Sequence, residues 1–110
     1  MALDIDDLVQ QMISAAQPIL GAMWQNLENQ ATSELQGVAQ QIVKIAQGVA
    51  DKEVDEDTAK LLLSMQLNNA VGAIAAATEE VEAAAQDAVN AAMAKVRDTV
   101  NAAVGFVLVP

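Results

Sequence analysis

Four carboxylates alternate along one short stretch of the chain: Asp51, Glu53, Asp55 and Asp57. Alternating oxygen ligands open a calcium loop, but an EF-hand also needs glycine at its sixth position and a bidentate glutamate at its twelfth. Counted from Asp51, those places hold Glu56 and Leu62. We therefore expect a solvated turn whose acids cap the helix that follows. A second cluster, Glu79, Glu80, Glu82 and Asp87, places Glu79 and Glu82 on one helix face. A carboxylate-bridged metal pair in a helical bundle would join such glutamates to Glu-x-x-His motifs. The chain has no histidine, so a solvent-facing charged strip is expected instead.

Missing residue types narrow the chemistry further. Without histidine, tyrosine or cysteine, acid–base work near neutrality would fall to carboxylates or lysines with displaced pKa values. Ser14, Ser33, Ser64, Thr32, Thr58, Thr78 and Thr99 have no histidine to activate them. No glycine-rich phosphate loop occurs. We therefore expect no catalytic, cofactor-binding or metal-ligating residue, no small-molecule substrate and no enzyme. The net charge of −10, with five basic residues scattered along the chain, excludes the basic footprint that nucleic acid requires. It also disfavours adhesion to an anionic membrane.

These side chains must be positioned by helices. Apolar or small residues recur at spacings of three and four through Leu8, Met12, Ala15, Ile19, Met23, Leu27, Ala31, Leu35, Val38, Ile42, Ile45 and Val49. A second such stripe runs Val71, Ile74, Thr78, Val81, Ala85, Val89, Met93, Val96, Val100, Ala103 and Val107. Asp4 is placed to cap the first helix, with Leu3 and Leu8 where a hydrophobic staple would sit, and Asp55 to cap the second. Gly48 is the expected stop of the first. Pro18 removes a hydrogen bond and crowds the preceding turn, at a cost of about 3 kcal/mol inside a helix, so a kink or break is expected there. The predicted fold is all-α: one domain over 1–110, an antiparallel hairpin of two long helices, the first kinked or broken near Pro18. Helix 1 covers about 4–48, an acidic turn about 49–54 and helix 2 about 55–107.

Hydrophobic residues make up 54% of the chain and aromatics 2%. With 23 alanines, and with Trp24 and Phe106 as the two aromatics, the core must be thin, and a single chain of this size buries a limited share of its surface. Self-association is the expected remedy, two hairpins forming a four-helix bundle or a larger helical oligomer. Nine of eleven glutamines precede residue 48, which suits a neutral solvated face or a polar seam to other subunits. Trp24 is a core anchor or an interface hot spot. The apolar end Phe106, Val107, Leu108 and Val109 either packs as a last helical turn on the first helix or docks on a partner. Trp24, Phe106, Val107, Leu108 and Val109 are thus the candidate interface. The expected function is that of a non-enzymatic structural or assembly protein, a self-associating subunit of a phage particle or a secreted protein machine. The alternative is a protein that coats or perturbs lipid surfaces with amphipathic helices. No signal peptide or spanning segment of about 18 apolar residues is read in the sequence, so a cytoplasmic place is the default, with signal-less export or packaging as the other route.

Overall fold

The Asp4 side chain opens the first helix. Its Oδ1 accepts the backbone N–H groups of Asp6 at 2.9 Å and Asp7 at 3.3 Å, satisfying donors that the first helical turn leaves unpaired. The computed structural model describes residues 3–78 and 82–110. Among these there are four α-helices and no strand: α1 (Ile5–Leu20), α2 (Trp24–Ala50), α3 (Glu56–Thr78) and α4 (Glu82–Val104).

The break comes just beyond Pro18. Proline cannot donate to the carbonyl one turn back, yet α1 continues through it to Leu20. The chain then passes through a tight 3-10 turn, Gly21–Met23. Gly21 has φ 54° and ψ −124°, a conformation that glycine reaches without a Cβ clash. Together α1, the turn and α2 make a helical path of 46 residues. If straight it would span about 69 Å, whereas the longest dimension of the molecule is 42 Å. The path therefore doubles back, and α1 packs on α2 as well as on α4. α2 and α3, joined by the acidic turn, pack along each other as the predicted hairpin, and α3 packs on α4. The cross-section of 22 × 20 Å suits two helices by two, at the usual spacing of about 8–10 Å.

One chain thus brings together the four helices that the sequence alone assigned to two. Alanine explains how. Ala85, Ala88 and Ala92 on α4, with Ala16 on α1 and Ala39 on α2, are buried and let backbones approach where larger side chains would hold them apart. Between them pack Leu8, Met12, Leu27, Leu35, Ile42, Ile74 and Val96. The inner stripe shifts by one residue from the predicted one along α1 and the turn after it, where Trp24 is buried and Met23 half-buried, and again at the end of α4, where Val104 is buried, Ala103 half-buried and Val107 exposed. Ala16 and Leu20 are buried in place of Ala15 and Ile19, and Ile19 is 45% exposed. Only the turn at Gly21, which reorients α1 relative to α2, decides between those neighbours. Thr78 and Val81 of the predicted second stripe carry side chains outside the described residues.

Gly48 does not stop its helix. α2 runs on to Ala50, and the left-handed residue is Lys52, φ 61°. The Gly48 carbonyl accepts the N–H groups of Glu53 and Val54 at 2.8 and 3.1 Å, wrapping the turn over the helix end. A Cβ on Gly48 would lie 2.6 Å from the Val54 Cγ2, so the bare Cα is the seat of a stiff, β-branched side chain. A Cβ on Gly72 of α3 would meet nothing within 4 Å. Two glycine-to-alanine changes should therefore have opposite signs. Gly72→Ala should raise stability by about 0.5–1 kcal/mol through helix propensity. Gly48→Ala should lower it by about 1 kcal/mol, because crowding Val54 outweighs that gain. Urea melts of dilute protein would check both, and equal signs would contradict this packing.

Candidate functional surface

The acidic turn is a capping device. The Asp55 Oδ1 accepts the Thr58 N–H at 2.7 Å, and its carbonyl accepts the Ala59 N–H at 2.9 Å. The bond from the Thr58 backbone, helped by the Thr58 hydroxyl, holds the Asp55 carboxyl below the usual aspartate range. A lowered folded pKa adds stability above the ordinary value, and that contribution is lost as pH falls through the lowered one. Asp55→Ala should therefore lower the Tm at neutral pH, and the gap to the parent should close in strong acid. A gap that persisted there would mean the carboxylate is not its source. Asp51, Glu53 and Asp57 are exposed. Among the described residues no group of three or more acidic side chains is placed to hold a metal ion. Glu79 and Glu80 of the second predicted cluster lie outside the described residues, and Asp87 is exposed.

The C-terminal segment forms no final helical turn. α4 ends at Val104, and Gly105, with φ 85°, donates its N–H to the Asn101 carbonyl at 2.9 Å, the glycine termination common at helix ends. The chain then reverses. The Asn101 side-chain oxygen accepts the N–H groups of Leu108 and Val109 at 2.9 and 2.8 Å, and its Nδ2 donates to the Val109 carbonyl at 2.9 Å. This clamp places the segment beside the seam of α3 and α4. There Val107 to Pro110 line a groove of about 630 Å³ with Leu63, Leu67 and Met93.

Of the five candidate interface residues, Trp24, Leu108 and Val109 are thus buried within the chain itself. Phe106 is half-buried and Val107 is 62% exposed. None of the nine early glutamines is buried, so they form an outer polar face.

No protein-family model, curated protein or solved structure matches this chain. Its surface must be read from its own residues. No helix among the described residues is long and apolar enough to cross a membrane. The outer face of α3 is the feature that sequence reasoning did not single out. Leu61 is 60% exposed and Met65 54%, and they lie one turn apart. No charged residue occurs from Leu61 to Thr78. Val107 lines the groove beside Ser64 and Asn68 of the same helix. The available signal was the triple leucine Leu61–Leu63, since consecutive apolar residues on a helix cannot all face one core.

Proposed function

We propose that this chain is a non-enzymatic assembly protein, a helical bundle that binds further copies of itself as a structural subunit of a larger object such as a phage particle or a secreted protein machine. The supporting observation is α3. Its apolar residues surround the helix instead of lining one stripe, which marks a helix covered on more than one side. Within the chain one side remains open, with Leu61 and Met65 exposed. An open apolar side is an association surface or an aggregation hazard in water. On a protein of net charge −10, self-repulsion keeps molecules apart except where they can meet without bringing carboxylates together.

Light scattering over a concentration series, followed by electron microscopy of the same fractions, tests this reading. The expected result is mass that rises with concentration into discrete or open-ended oligomers. A monomer at every concentration would overturn it. Leakage of anionic and neutral liposomes without self-association would replace it with the lipid-surface reading.

A further inference from the structure

Large and small residues are segregated along the open side of α3. Leu61, Met65, Asn68, Asn69, Gly72 and Ala76 are all exposed, and at about 100° per residue they fall within an arc of about 100°. The large side chains, Leu61 and Met65, occupy the N-terminal half. The smallest, Gly72 and Ala76, occupy the C-terminal half, and the space outside Gly72 is empty. Asn68 and Asn69 lie at the middle.

We infer that α3 pairs with α3 of a second copy, antiparallel, about a two-fold axis passing between Asn68 and Asn69. That axis sets Leu61 opposite the partner's Ala76, Met65 opposite the partner's Gly72, and Asn68 opposite the partner's Asn69. Each large side chain then enters the gap left by a small one. Isologous contacts require this self-complementarity, in which residue i meets j and j meets i. The central asparagines can exchange amide hydrogen bonds, a device that fixes the register of paired helices. Charge selects the occupant. The face has no counter-charge for an acidic or basic partner, and at its N-terminal edge the exposed Asp57, one turn before Leu61, offsets Lys60 and leaves an anionic lipid surface little to bind. A second copy meets it with the same uncharged surface.

The face is about 24 Å long and about 10 Å wide, near 240 Å² per copy. Stable interfaces bury roughly 800 Å² per partner, so the dimer is weak and forms only at high protein concentration. The inference rests on the self-association proposed above, and the test separates the two. Sedimentation equilibrium would compare the parent with Gly72→Leu, which fills the gap and whose Cβ meets nothing within 4 Å, and with Leu61→Glu. Circular dichroism would confirm that both variants remain folded, and Gly72→Leu should melt no lower than the parent. Dissociation constants should rise by about tenfold or more in both. The chain lacks cysteine, so mixed Leu61→Cys and Ala76→Cys variants should cross-link to each other, with Ala76→Cys alone cross-linking far less. Parent protein that never associates would overturn the proposed function and this pairing together. Association unchanged in both variants would overturn the pairing and leave self-assembly standing. Cross-linking of Ala76→Cys to itself in preference to the mixture would show a parallel contact and overturn the two-fold antiparallel one.

Discussion

Trp24→Ala should cost about 3–5 kcal/mol, the range for truncating a buried aromatic. Trp24 is the first residue of α2, directly after the turn in which the chain doubles back, and it is only 9% exposed. Leu20 ends α1 on the other side of that turn and is also buried. In a core otherwise made of alanine, valine, leucine, isoleucine and methionine, this one indole supplies a large share of buried area. Small domains are stable by about 5–15 kcal/mol in total. The variant should therefore melt about 10–20 °C lower than the parent, and Trp24→Phe should recover most of the loss. Urea unfolding followed by far-ultraviolet circular dichroism, at a concentration where the parent is monomeric, measures the effect without the lost fluorophore. Unchanged stability with reduced oligomer mass would make Trp24 an interface residue and refute its role in the core.

What could be read in the sequence was what depends on near neighbours. Asp4 and Asp55 announce helix starts because capping is settled within three residues, and both caps are present in the structure. The spacings of three and four were enough for an all-helical chain with one acidic turn. What escaped depends on distant parts of the chain. Gly21 turns the helix, yet Gly37, Gly48 and Gly72 sit inside helices, so glycine alone did not mark the bend. Whether Ile19 or Leu20 faces inward follows from how α1 is turned onto α4. The packing of α3 on α4 had no proline or glycine to signal it, and the 42 Å length of the molecule is what requires both halves to fold. The acidic clusters drew attention as chemistry, while the uncharged run from Leu61 to Thr78 is the more informative surface. The triple leucine signals that not all three side chains can face one core but not which of them lies outside, and Leu61 was placed there only once Leu63 and Val71 were seen to take the inner side.

Asn101→Ala should release the C-terminal segment and cost about 3 kcal/mol. Three hydrogen bonds are lost at once, each worth about 1 kcal/mol in net terms. Their geometry makes the loss hard to offset. One planar amide accepts from two successive N–H groups through its oxygen and donates to a carbonyl through its nitrogen, a division of labour between two atoms that a single hydroxyl does not offer. Asn101→Asp keeps the accepting oxygens and loses the donor, so its cost should be intermediate. Leu108 and Val109, 4% and 3% exposed in the parent, have no helix to hold them, since α4 ends at Val104. Once freed they should leave the groove and uncover Leu63 and Met93. Hydrogen exchange gives the direct reading: the amides of Leu108 and Val109 should be protected in the parent and exchange freely in Asn101→Ala. A truncated chain ending at Phe106 supplies the control. There Asn101 has nothing to clamp, and Asn101→Ala should be close to neutral, so the coupling across the cycle measures the clamp alone. If the substitution were as costly in the truncated chain, Asn101 would be stabilising α4 itself, and the segment would be held by its apolar side chains and not by the amide.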